Sequence, residues 1–440
     1  MPQPIPKRIR AVLSDQIIFS MRAVGDMQIH CIVLFDGMID EDRMARAIRL
    51  GLDSEPVLGS RFSTSLWRPC WEYRHDLNNL ELCKLIETTD VNQEMTKFLT
   101  SPIDPFGDPQ VQACILRSKK DVFCIKVNHI AADAGGVKEF AYLLASIYRE
   151  LFNNPGYIPE INLKGSRSLR QVSGKFTPLH KLGIIRRTFR NLKNNVYPNR
   201  YWTLPLVKGD HDDRTFVIRS INSERFQSIK SYCRTNTVTL NDVIIAAFYR
   251  AFTQLTDRNV KTPLRFMNTA DLRRYLPAGR GEAICNLSGF VYLNIGQTVG
   301  ETFNDTVSLV HHQMDFMKKD YIGLGDYPVI LFLKAFPFAL NRRLLDLMYK
   351  RFTSMKNAFP PCITNMGVID KSQLIFGDPP VRDAFLTAPV MYPPILGIGL
   401  SGYGESVTVS AGFSETDANK PIIERLFNKM EDQLQLITSK

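Results

Sequence analysis

Hydrophobic and polar positions alternate from Val122 to Asn128. Phe123, Ile125 and Val127 fall on one face, and Val122, Cys124, Lys126 and Asn128 on the other, which predicts a strand. His129 continues the face of Phe123, so its imidazole is expected to point inward. A tight turn through Ala131, Ala132 and Asp133 leads to Ala134, Gly135 and Gly136, where glycine permits the close or left-handed backbone a turn into a helix requires. From Val137 the apolar residues fall at 137, 140, 141, 144, 147, 148 and 151, one face of an amphipathic helix. Upstream, Met27, Ile29, Cys31, Val33 and Phe35 share a strand face. Asp36-Gly37 makes a turn, and a helix opens near Asp40 with Met44, Ile48, Gly51 and Leu52 inward. Residues 66–90 predict strands and a loop with Trp67 and Trp71, and 100–117 a proline-rich turn and a strand.

Between Leu163 and Asp213 this pattern breaks down into a basic stretch with Arg167, Arg170, Lys181, Arg186, Arg187, Arg190 and Arg200. It divides the chain into units 1–165 and 213–440 joined by a linker, 166–212. Within the linker, 180–195 reads as a short basic amphipathic helix with Leu182, Ile185, Phe189 and Leu192 on one side. Such a helix either rests on a membrane or packs as a solvated connector on its own protein. The second unit opens with a strand at 214–220 and a helix, and a stronger helix follows Thr239 with Val243, Ala246, Ala247, Ala251 and Leu255 as core positions. Strands are predicted at 263–273, 286–296 and 362–370 and from Ile395 to Gly412, and a closing helix from Asp417 to Leu436. His311 and His312 lie in a helix and are expected at the surface. The most apolar run, 328–340, is too short to span a bilayer and is read as a buried or interfacial helix.

The 440 residues suffice for two sizeable cores, and 44% hydrophobic with 22% charged residues is ordinary for a globular chain. Eight scattered cysteines form no CxxC pair, so neither zinc nor a dithiol redox site is expected. The basic N-terminus lacks an apolar signal core, and with reduced cysteines this predicts a cytoplasmic location. The net charge of +11 suits an anionic partner. No nucleic-acid-binding module is visible. Coenzyme A phosphates, an acidic carrier protein, an anionic membrane surface and a generally basic surface with no dedicated partner stay open.

An inward imidazole at a strand end suits a general base, because histidine titrates near neutral pH. The same pattern fits a satisfied buried histidine followed by a helix-capping aspartate. NHIAADAGG, however, resembles the HHxxxDG signature of the chloramphenicol acetyltransferase-like superfamily: condensation domains, alcohol acetyltransferases, wax ester synthases and polyketide-associated acyltransferases. His129 falls on its catalytic histidine and Asp133 on its aspartate. Asn128 replaces the first histidine and Ala134 the glycine. The 239–295 region carries further likeness, including the Gly-Phe-Val strand.

The resemblance implies an α/β fold: two similar halves with mixed sheets, forming a V around a central channel. It implies acyl transfer from a thioester, acyl-coenzyme A or a phosphopantetheine carrier, to a small alcohol or amine, with His129 as general base and no permanently bound cofactor or metal. Asp133 would be structural, paired with Arg273 of the second half, or with Arg274. Thr364 and Asn365 are candidates for the oxyanion or substrate, against ordinary sheet hydrogen bonding, and Asn128 for substrate contact. A monomer is expected. The alternatives are a catalytically silent relative that binds a carrier or lipid, and a membrane-surface ester synthase for lipid alcohols.

Overall fold

Residues 4–195, 201–210, 212–256, 262–354 and 359–437 are described by a computed structural model. Its first sheet is mixed, in the order Val381–Thr387, Gln28–Phe35, Asp121–Asn128, Val111–Arg117, Cys83–Glu87. Both faces of its central strands are buried. Ile29, Cys31, Val33, Phe123 and Ile125 meet the helices Glu41–Ser54 and Ala134–Asn153 in one core, while Ile32, Cys124 and Leu116 meet the helix Val91–Thr100 in another. Asp40 caps Glu41–Ser54 by accepting from Arg43 N at 2.9 Å, and the inward positions expected on both long helices are buried. A small sheet of Arg8–Arg10, Cys70–Tyr73 and Ser60–Ser63 covers one end.

The second sheet runs Ser288–Asn294, Arg265–Asp271, Cys362–Ile369, Gly397–Tyr403, Ser406–Ser414, Arg214–Ile221. It packs on the helices Leu240–Leu255, Phe303–Lys319 and Asn419–Gln435. Thr239 and Asp242 form a reciprocal capping box that starts Leu240–Leu255 where expected. The architecture is therefore α/β with two halves, each built on a mixed sheet. The strand Val381–Thr387 comes from the 213–440 stretch yet pairs antiparallel with Gln28–Phe35, so the second half completes the first half's sheet.

Several local expectations change. Met27 does not begin the strand: its φ is 50°, a left-handed conformation unusual for a side chain of this size, and its carbonyl accepts from His129 N at 2.8 Å. His311 is half-buried and bonds through Nδ1 to the buried Asp242 at 2.9 Å; only His312 is exposed. The 328–340 run is neither one helix nor buried. It divides into Tyr327–Leu333 and the start of Phe338–Ser354, and Leu331, Phe332, Phe336 and Leu340 face solvent. The linker holds a longer helix, Pro178–Asn195, on which Leu182, Ile185 and Phe189 are exposed while Ile184, Arg187 and Thr188 face the protein. The side chain of Leu192 and residue Arg200 lie outside the described residues. Among those described, no helix is long and apolar enough to cross a membrane.

Candidate active site

The strand Asp121–Asn128 delivers His129 to a cavity of about 180 Å³ lined by residues of both halves. Met21, Met27, Met267, Met366 and Met391 are among the residues that line it. Methionine is unbranched and adapts its shape, so these walls suit an apolar group of variable outline. Sequence reasoning missed this feature, because the five residues come from four stretches far apart along the chain.

His129 is half-buried, and its Nδ1 faces only oxygen atoms: Ala132 O at 3.0 Å and Asn286 Oδ1 at 3.1 Å. The amide of Asn286 is oriented by donating to His129 O at 3.0 Å and Ile130 O at 2.9 Å, so its oxygen is the atom turned to the ring. Two acceptors at Nδ1 require the proton there, which leaves the Nε2 lone pair free. Burial lowers the imidazole pKa from its ordinary value, against the opposing pull of Asp133, and so favours the neutral ring. Asn286 was not a sequence candidate; its only local signal was its place just before the Gly-Phe-Val strand.

Asp133 does two things at once. Its Oδ1 accepts from Gly136 N at 2.9 Å, capping Ala134–Asn153, and lies 2.9 Å from Arg273 Nη1. Its Oδ2 accepts from Leu287 N and Ser288 Oγ, both at 2.7 Å. The capping and ion-pair readings are thus compatible. Burial pushes this carboxyl up, but Arg273 and the hydrogen bonds outweigh it and hold the pKa at about 2. Such a group stays ionised and has no free lone pair to offer a substrate.

Arg273 is buried in a short 3₁₀ turn, because the strand ends at Asp271 rather than running through residue 273. It also donates to Glu139 Oε1 at 2.9 Å, Asp271 Oδ1 at 3.2 Å and Cys285 O at 3.0 Å. Arg274 is exposed. The glycine pair is explained by space and not by left-handed backbone. A Cβ on Gly135 would overlap the Arg273 guanidinium, and one on Gly136 would press on Ala132 and Cys285 O, each at 3.0 Å.

The remaining candidates separate. Thr364 lines the cavity and shares a 2.7 Å hydrogen bond with Thr269, which lines it too. One of the two hydroxyl protons is used between them, and the other is left for the cavity. Asn365 sits at the exposed rim, with its amide spent on Asn241 and its oxygen on Gly367 N, at 2.8 and 2.9 Å. Asn128 lies outside the cavity. It is buried, and its Oδ1 holds Ile130 N at 3.1 Å, so it shapes the loop and does not face a substrate.

A second arginine, named above only as part of the basic linker, also belongs to the site. Arg167 is buried; its Nη2 donates to Asp15 Oδ1 at 3.0 Å and Ala131 O at 2.8 Å, and its Nη1 to Ile284 O. It therefore grips the His129 loop directly.

The fold has counterparts among solved structures. The first condensation domain of the calcium-dependent antibiotic synthetase matches with a TM-score of 0.70 and 17% identity, over 98% of this chain and 97% of that one. A trichothecene 15-O-acetyltransferase from Fusarium sporotrichioides matches at 0.71 and 10%, over 98% and 95%. Polyketide synthase associated protein 5 from Mycobacterium tuberculosis matches at 0.66 and 14%, over 98% and 100%. The chain has the chloramphenicol acetyltransferase-like fold. At these identities the likeness is one of fold. The same fold includes an epimerization domain of tyrocidine synthetase, so it does not by itself fix a reaction. No protein-family model and no curated protein matches the sequence.

Proposed function

We propose that this protein transfers an acyl group from a thioester to a hydroxyl or amine. The observation that carries the reading is the setting of His129: Nδ1 tied to two oxygens, which leaves Nε2 as the basic nitrogen, in a cavity between the halves whose burial of the ring lowers its pKa. Nε2 takes the acceptor's proton as its oxygen or nitrogen attacks the thioester carbonyl. The tetrahedral intermediate collapses, the carbon–sulfur bond breaks, and the thiolate leaves with the proton that His129 returns. The acceptor is itself the nucleophile, so no acyl-enzyme forms. The hydroxyl pair of Thr269 and Thr364, which lines the same cavity, is proposed as the donor for the oxyanion. Condensation-domain and acetyltransferase neighbours support a transferase; coenzyme A or a carrier protein as the donor's handle is part of the proposal.

The test is turnover of an acyl-coenzyme A and acceptor panel followed by mass spectrometry. His129→Ala should lower the rate of any product found by about 10² to 10⁴ with circular dichroism unchanged. Near-normal turnover in that variant overturns the assignment.

A further inference from the structure

The helix Pro178–Asn195 is turned inside out. Its buried side holds Ile184, Arg187 and Thr188, while Leu179, Leu182, Ile185 and Phe189 form a stripe in solvent, with Leu182 63% and Phe189 68% exposed. A helix folded for water alone buries such a stripe. The helix Phe338–Ser354 repeats the arrangement with exposed Leu340, Leu344, Leu347 and Met348. Between the two in sequence, Tyr327–Leu333 packs on Pro178–Asn195 and exposes Leu331 and Phe332, the latter 65%. Backbone hydrogen bonds from Phe338 and Ala339 to Trp67 O and Leu66 O bring two more exposed apolar side chains to the same region. Large exposed patches of this kind on a globular chain mark an interaction surface.

Charge selects the partner. The stretches 178–195 and 327–354 hold ten Lys and Arg residues against one acid, Asp346, in a chain of net charge +11. Arg187 is buried and pairs with Asp320, as Arg190 does, while Lys181, Arg186, Lys334, Arg343 and Arg351 are exposed. A second copy of this chain would set those cations against themselves, so self-association on this face is opposed. Apolar stripes flanked by Lys and Arg, with little acid, are what an interfacial helix presents to anionic lipid. A cavity of about 480 Å³ opens here, with Arg10, Arg68, Arg170 and Lys334 on its wall and no carboxylate. Repulsion from Arg170, with lesser contributions from desolvation, Arg10 and Arg68, lowers the pKa of Lys334, as expected where cations gather. Ser14, Leu169, Tyr327 and Ile330 line both this cavity and that of His129, so the two adjoin.

We propose that this face docks on an anionic lipid bilayer, with the helices Pro178–Asn195 and Phe338–Ser354 lying in the interface and the cationic cavity opening toward the headgroups. Docking there brings the mouth of the route to His129 to the membrane, where a lipid-borne alcohol or acyl chain enters without crossing water.

The experiment is flotation with vesicles of phosphatidylcholine alone and of phosphatidylcholine mixed with phosphatidylglycerol, with no substrate required. The protein should float with the mixed vesicles and weakly or not at all with the neutral ones. The variant Leu182→Ser/Phe189→Ser/Leu344→Ser/Leu347→Ser should lose at least tenfold in vesicle partition while keeping its melting temperature, because all four side chains are already in solvent. Arg186→Glu and Arg343→Glu should each cost at least about fivefold, from roughly 1 kcal/mol per cation near an anionic surface. Three results would overturn the proposal: no flotation with mixed vesicles, equal flotation of the serine variant, or a dimer in light scattering that the serine variant dissolves. Tight binding of an acidic carrier protein with no vesicle binding would assign the face to that partner instead.

Discussion

Two buried arginines hold the loop that carries His129, and they do so under opposite charge balances. Arg273 is met by three carboxylates, Asp133, Glu139 and Asp271, and by one carbonyl. Arg167 is met by one carboxylate, Asp15, and by two carbonyls, and its Nε is buried without a partner. The two aspartates respond differently. Asp133 is held at about 2 by Arg273 and its hydrogen bonds despite burial, whereas burial prevails at Asp15 over Arg167 and raises its pKa. The comparison teaches that burial alone does not set a carboxylate's state; the number of donors aimed at it does. It also assigns the clamps different tasks. The Arg273 site locks one half to the other through charge, and the Arg167 site ties loop carbonyls to Asp15 of the helix Leu13–Ser20.

The largest effect should come from breaking the first clamp. Arg273→Met removes the cation shared by three carboxylates and should destabilise the protein by roughly 3–5 kcal/mol, the usual cost of stranding a buried charge. Asp133→Ala should cost a similar amount, since it also removes the helix cap. In a double-mutant cycle by denaturant melts, the pair should lose less than the sum of the two; additive losses would mean that the 2.9 Å contact carries no coupling. In the wild type, the Asp133 contribution should persist through mildly acidic pH. Its folded pKa is depressed, so the stability is present above the ordinary carboxylate range and is lost only as pH falls toward about 2.

Arg167→Met should cost less, about 1–3 kcal/mol at neutral pH, the range for orphaning buried hydrogen-bonding groups. Its deficit should also shrink as the pH is lowered. The Asp15 carboxyl already sits above its ordinary value, and losing Arg167 raises it further. A folded-state pKa above the unfolded one means that the folded variant takes up a proton first and gains relative stability as pH falls. Melting curves from pH 8 to pH 5 check this; a deficit independent of pH would show that Asp15 stays ionised and would break the contrast between the two sites.

These two arginines also measure what the sequence made legible. Arg273 could be named because it ends a predicted strand in a region that resembles a known arginine-bearing segment. Arg167 could not, because a cation in a stretch without periodicity looks solvated until its partners, 152 and 36 residues away along the chain, are known. The strand Asp121–Asn128 and the helices after Asp40, Asp133 and Thr239 were readable for a local reason: alternation, period and cap all lie within one window. The crossing of Val381–Thr387 into the first sheet was not, since strand partnership is a long-range choice. The outward apolar stripe on Pro178–Asn195 was visible as a stripe, but its period is the same whether it faces a core or a membrane.

The smallest effect separates the clamps from the group that touches the imidazole. Asn286 bonds His129 Nδ1 at 3.1 Å and the carbonyls of His129 and Ile130, all from one side chain. Asn286→Ala leaves Ala132 O as an acceptor for Nδ1, so the neutral tautomer survives and the rate should fall only about tenfold. Stability should fall by about 1 kcal/mol, the net worth of an ordinary hydrogen bond. The distinguishing readout is the acid limb of the rate profile. Burial already lowers the His129 pKa, and the Asn286 oxygen pulls it back up by accepting from Nδ1, most strongly when the ring is charged. Removing that oxygen should carry the acid limb to lower pH while the plateau drops. Arg167→Met changes no atom bonded to the ring, so it should lower the plateau by loosening the loop and leave the limb nearer its wild-type position. An Asn286→Ala limb that stays put or moves up would mean that Asn286 only pins the loop, which would make it a third clamp rather than a group that positions the base.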